Sequence, residues 1–100
     1  MIKPSKVKFI SERLEENFNS LDESDPIKKS IKRAIEDLRN NAFFGIQFPK
    51  RLIPRGYLLK YDLPQGWRLL YTITAENEVQ LVSAILEWFN HSEYERKFHY

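Results

Sequence analysis

Near the start of the chain, "KVKFIS" alternates polar and apolar residues and puts Val7 and Phe9 on one side. That period of two predicts a short strand. Leu14, Phe18 and Leu21 then recur at helical spacing behind Ser11, a residue suited to an N-cap. Glu12, Glu15 and Glu16 fall in the early turns, where a helix dipole favours acid. "DESD" stops that helix. The strongest pattern follows in "SDPIKKSIKRAIEDLRNN": Asp25 as cap, Pro26 at the first helical position, and one apolar stripe of Ile27, Ile31, Ala34, Ile35 and Leu38. The other face of this helix carries Lys28, Lys29, Lys32 and Arg33, read as solvated cations, and Asn40 and Asn41 end it.

From Phe43 to Pro54 the sequence "FFGIQFPKRLIP" is aromatic and basic, with two prolines and a glycine, and predicts a loop or an irregular sheet edge. Three strands follow, "GYLLKYDL", "WRLLYTIT" and "VQLVSAILEWF", separated by the turns "PQG" and "AENE". Turns this short imply an antiparallel meander. "NHSEYERKF" begins with cap-like residues and predicts a short closing helix or turn, which His91 caps or buttresses rather than serving as a site residue. The order β-αα-βββ defines an α+β domain over residues 1–100: a small, antiparallel-dominated sheet with the helical hairpin packed on one face.

Composition narrows the chemistry. With 100 residues, 42% of them hydrophobic and 14% aromatic, the chain can close one small core. It has no cysteine, which excludes disulfides and thiolate chemistry, and two histidines are too few for a convincing zinc site. Neither a metal nor another cofactor is expected. No apolar run approaches the roughly 20 residues of a membrane span, and the N-terminal residues break into charge before a signal-peptide core forms, so a cytoplasmic protein is expected.

The net charge of +2 hides a segregation. Residues 1–25 hold four basic and six acidic side chains, a local −2; residues 26–68 hold ten and three, a local +7; residues 69–100 hold two and five, a local −3. A band of that sign suits a polyanion or an acidic protein partner. It is expected to form one continuous face including Lys50, Arg51, Arg55 and Arg68.

The helical hairpin followed by "LIPRGYLLKYDLPQGWRLLYTIT" and "VQLVSAILEWFNHSEYERKFHY" resembles the RelE/ParE superfamily of bacterial and archaeal toxins from toxin–antitoxin pairs. The sharpest piece is "WRLLYTI", an arginine ahead of an apolar-apolar-Tyr run; the terminal "HY" is similar to the ending of the YoeB-like branch. The resemblance implies an mRNA endoribonuclease, an mRNA interferase that works on the ribosome, inhibits translation and is held inactive by a cognate antitoxin. The ParE branch shares the fold, lacks the nuclease residues and is associated with DNA gyrase, so a non-catalytic gyrase inhibitor, or an inactive homologue that only binds its antitoxin, is the alternative.

A metal-free ribonuclease drives the RNA 2′-OH onto the adjacent phosphate, and needs a base, an acid and fixed positive charge on the phosphorane. Arg68 is the candidate for the charge, since a guanidinium presents a planar fork of donors. In its strand Trp67, Leu69, Tyr71 and Ile73 share one face, and Arg68, Leu70, Thr72 and Thr74 the other, which places Arg68 on an open face of a central strand. No Asp or Glu occurs from Phe43 to Tyr61. This departs from YoeB-like members, which place a carboxylate base near the second strand, and leaves His99, Tyr100 and Lys50 as candidate proton carriers, with Phe98 as an anchor for the tail. Arg51, Arg55, Lys60 and Tyr57 combine cations with an aromatic ring, as RNA backbone and base contacts require, and Arg96 is a further candidate. The plainer reading of these residues is a solvated loop and a charged tail.

Overall fold

The computed structural model describes residues 2–47 and 58–98. In chain order these form β1 (Ser5–Phe9), α1 (Glu12–Ser20), α2 (Pro26–Asn40), β2 (Ile46–Gln47), β3 (Leu58–Asp62), β4 (Arg68–Ala75), β5 (Leu81–Phe89) and α3 (His91–Phe98). The fold is α+β. The strands make one five-stranded sheet in the order β1-β5-β4-β3-β2. The β3-β4-β5 meander and the β2–β3 pair are antiparallel, while β1 lies parallel to β5, with Ser5 opposite Leu81 and Phe9 opposite Ile85. The two helices between β1 and the meander supply the long connection that a parallel pair needs. The aromatic segment after α2 contributes β2, a two-residue sheet edge.

Both helix starts are set by their side chains. Ser11 accepts from the Leu14 amide at 3.2 Å and Asp25 from the Ile27 amide at 2.8 Å, with Pro26 in the first turn where its missing N–H costs nothing. The apolar faces of α1 and α2 pack on one side of the sheet. Phe18, Ile31, Ala34 and Leu38 meet Leu59, Leu69, Tyr71, Ile73 and Ile85 in a single core. Phe9, Phe18 and Trp88 form a cluster with centroids 5.2 to 6.4 Å apart.

A bulge explains why β5 contributes both Ile85 and Trp88 to this core. Leu70 pairs with Glu87 but Tyr71 pairs with Ile85, so Leu86 is an extra residue and the side-chain alternation slips by one. Beyond the slip Phe89 falls on the opposite face, across from Arg68 on the neighbouring strand.

Two expectations are corrected. Lys28 is not one of the solvated cations of α2: it is 4% exposed. It lies on the border of the apolar stripe, and its amine reaches the end of α1, where the Asn19 and Leu21 carbonyls accept at 3.4 and 3.1 Å. The face bearing Arg68 is not open either, because Leu70, Ala84 and Phe89 on it are 5%, 3% and 2% exposed.

The turn after β3, Pro64–Gly66, has Gln65 and Gly66 at φ 59° and 80°. Its glycine abuts the first residue of α3: a Cβ added to Gly66 would stand 3.2 Å from the His91 Cβ. His91 lies beside this turn but does not cap α3. The cap of α3 is Asn90, which accepts from the Glu93 amide at 2.9 Å while Glu93 accepts from the Asn90 amide at 3.3 Å. No helix among the described residues is long and apolar enough to cross a membrane.

Candidate functional site

Arg68 opens β4, the middle strand of the sheet, and points away from the helices because its neighbours Trp67 and Leu69 face the core. Its cross-strand partner is Asp62 on β3. The Asp62 Oδ1 lies 3.1 Å from the Arg68 Nε and 3.7 Å from the Lys60 Nζ, and the Arg68 Nη1 donates to the Trp67 carbonyl at 3.2 Å. The Arg68 and Lys60 side chains are 18% and 22% exposed, whereas Asp62 is 53% exposed. Two largely covered cations therefore flank a carboxylate that reaches solvent. One row away on the same face, Leu70 separates Lys60 from Glu87.

Chemically, this arrangement mounts a guanidinium on a central strand; Arg68, Lys60 and Asp62 together carry one positive charge, with Glu87 one row away on the same face. The contact with Asp62 is an ion pair and restricts the rotamers of Arg68.

The structure brings together Arg68 and Lys60 of the residues singled out in the sequence. Arg96 is exposed on α3. Lys50, Arg51, Arg55, Tyr57, His99 and Tyr100 lie outside the described residues, as does most of the continuous basic face expected to join them. The cations of α2 lie on the helix side of the sheet, away from Arg68. Asp62 is the residue that sequence reasoning missed. It stands one position beyond the acid-free stretch, and the signal that would have found it is its spacing: Lys60 and Asp62 alternate on β3, and the "PQG" turn sets Asp62 opposite Arg68. Among the described residues no three His, Asp or Glu side chains gather into a metal-binding set.

A second feature adjoins this one around the sheet edge. A cleft of about 560 Å³ runs between α2 and the end of β3, lined by Lys29, Arg33, Phe44, Tyr61 and Pro64 among others. Tyr61 donates to the Asp37 carboxylate and stacks with Phe44 at 5.5 Å between centroids. Burial, reinforced by the Asp37 carboxylate, pushes the Tyr61 hydroxyl up to about 12. A smaller depression of about 180 Å³ shares Phe44, Tyr61 and Asp62 with the cleft and extends to Lys60.

Compared with known protein families, characterised proteins and solved structures, the chain has no match.

Proposed function

We propose that the protein is the toxin of a toxin–antitoxin pair, of the RelE/YoeB-like kind, and acts in the cytoplasm as a metal-free mRNA endoribonuclease on the ribosome. The observation that carries this reading is Arg68 on the central strand, held against Asp62 with Lys60 beside them. It adds to the resemblance of "WRLLYTI" and the terminal "HY" to that family.

In this mechanism the RNA 2′-oxygen attacks the adjacent phosphorus while a base takes the 2′-OH proton. The P–O5′ bond breaks, and an acid gives a proton to the departing 5′-oxygen. The products are a 2′,3′-cyclic phosphate and a 5′-OH end. Arg68 stabilises the charge that builds on the phosphorane oxygens. Asp62 takes the role of base that the acid-free stretch from Phe43 to Tyr61 had left open, and His99 or Tyr100 supplies the proton to the 5′-oxygen. Lys60, with Lys50, Arg51, Arg55 and Arg96, binds the RNA backbone, and Tyr57 stacks on a base.

The partners are the ribosome with its mRNA and a cognate antitoxin, whose acidic or amphipathic segment folds over the basic surface. The test is inducible expression in cells followed by mapping of mRNA 5′ ends. New ends inside translated codons that fade in Arg68→Lys, with its fold checked by circular dichroism, support the reading. Growth arrest with intact mRNA and inhibited gyrase would replace it by the ParE-like alternative, and no effect at all by an inactive homologue.

A further inference from the structure

The cations of α2 divide sharply. Lys28 and Lys32 both bind Glu23, at 2.6 and 2.7 Å, and Arg39 binds Glu36 at 2.8 Å. Lys29 and Arg33, one helical turn apart, are the two that line the cleft, and neither has an ion pair among the described residues. The carboxylates of the cleft are already engaged, Asp37 with the Tyr61 hydroxyl and Asp62 with Arg68 and Lys60. Asp37 keeps its charge when it accepts from the neutral Tyr61 hydroxyl, and Asp62 is balanced by Arg68 and Lys60. Lys29 and Arg33 therefore leave the cleft wall with one positive charge in excess of Asp37.

It also offers a flat apolar surface. Phe44 is 55% exposed although one side of its ring is stacked on Tyr61. An exposed phenylalanine backed by a second ring is a rigid platform. Tyr61 is itself held by Asp37, so the pair loses little freedom when a third ring is added. Unpaired cations beside an exposed ring fit an anion that carries a planar group.

We infer that this cleft is a nucleotide subsite for single-stranded RNA, with a base stacked on the free face of Phe44 and its phosphate between Lys29 and Arg33. The shared wall of Phe44, Tyr61 and Asp62 makes the cleft continuous with the depression at Lys60, so a strand engaged at Arg68 continues around the β2–β3 edge into it. The assignment rests on RNA being the substrate under the proposed function. It adds a second binding surface on the helix side of the sheet, away from the reacting phosphate.

The experiment measures binding of a short fluorescein-labelled single-stranded RNA, and of inorganic polyphosphate as competitor, to the full chain. Phe44→Ala is expected to weaken RNA binding by about 5- to 150-fold, the range for loss of one base–aromatic stack, and to leave polyphosphate competition unchanged. Phe44→Trp keeps the platform and should bind RNA like the wild type. Lys29→Gln with Arg33→Gln should weaken both ligands and flatten the salt dependence. Circular dichroism checks each fold.

The assignment is overturned if Phe44→Ala binds RNA as the wild type does, if the wild type fails to bind RNA, or if poly-glutamate displaces the RNA better than polyphosphate. The last result would make the cleft a site for an acidic protein partner. Cleavage on programmed ribosomes separates this from the proposed function. Phe44-dependent binding without wild-type cleavage removes the nuclease and leaves the subsite; cleavage with Phe44-independent binding removes the subsite alone.

Discussion

The amine of Lys28 stands 5.4 Å from the centroid of the Phe18 ring, buried between α1 and α2. α1 has no basic residue in its own last turn, and Lys28 supplies one from the next helix. Its donors meet the Asn19 and Leu21 carbonyls, which the end of α1 would otherwise leave without intrahelical partners. Glu23 closes the arrangement from the solvent side.

Lys28→Met keeps the stem and removes the donors. It should cost about 2 kcal/mol, the range for charge-assisted hydrogen bonds to buried acceptors, seen as a lower urea midpoint. Glu23→Gln should move the midpoint far less, because its carboxylate is in water. If the two substitutions cost the same, the stabilisation lies in the ion pair and not in the capped helix end. Hydrogen bonds from Lys28 and then Lys32 hold the Glu23 carboxyl down at about 2. What Glu23 contributes is present above its unfolded value of about 4.5 and is lost as pH falls from there toward 2.

Two tyrosines should ionise late. Burial pushes the Tyr71 hydroxyl up to about 12, partly offset by the Gly45 amide that donates to it, and Tyr61 is raised to about 12 as well. A raised folded value means that the neutral form favours folding. This contribution is complete below about pH 10 and is lost between about 10 and 12. Absorbance at 295 nm should show two of the five tyrosines titrating only as the protein unfolds in alkali. Tyr71→Phe should shift that unfolding to higher pH. An alkaline limb unchanged in both Tyr61→Phe and Tyr71→Phe would refute the assignment.

Gly45 is required by close approach. A Cβ there would stand 2.5 Å from the Lys60 carbonyl oxygen and 2.7 Å from the Tyr71 hydroxyl. Gly45→Ala should therefore cost about 2–3 kcal/mol through overpacking, lowering Tm by roughly 10–20 °C. Tyr71→Phe in the same chain removes the hydroxyl, one of three obstructing atoms, and leaves the ring carbon at 2.9 Å, so the double variant should be somewhat less destabilised than the sum of the singles. Strict additivity would mean that the hydroxyl contributes nothing and that the backbone oxygen and the Tyr71 ring set the cost.

The elements with a strong period were legible in the sequence. Ser11, Asp25 and Pro26 mark the helix starts, and the alternation of "WRLLYTIT" assigns Leu69, Tyr71 and Ile73 to the core and Arg68 to the other side. The rest depends on pairing across the chain. The parallel partnership of β1 with β5 leaves no local trace. The slip at Leu86 reads as a broken alternation until the register is known. Lys28 looks like its neighbours Lys29 and Lys32 because a lysine at the border of a stripe can turn either way, and the nearby end of α1 decides it. Asp62 carries no local signal of its own, because its position opposite Arg68 comes from the turn between their strands.

The Asp62–Arg68 pairing separates two roles for the carboxylate. Under the proposed function, Arg68→Lys keeps the charge and loses the planar fork, and should lower mRNA cleavage on programmed ribosomes by about 10²–10³-fold. Lysine is the better probe than alanine here, since the Arg68 side chain is only 18% exposed and truncation would disturb packing as well as chemistry. If Asp62 accepts the 2′-OH proton, Asp62→Asn should cost about 10²–10⁴-fold in rate with RNA binding unchanged or tighter, because a negative charge beside the phosphate has been removed. If Asp62 only orients Arg68, the isosteric amide keeps most of that interaction and the loss should stay under about tenfold. Lys60→Gln serves as the reference for charge alone. It should weaken binding and reduce the salt slope by about 0.7 for each phosphate left unneutralised, without a matching fall in the cleavage rate of bound RNA. The rates at saturating enzyme decide. An Asp62→Asn enzyme that cleaves as fast as the wild type would move the base to the chain's last residues, His99 and Tyr100.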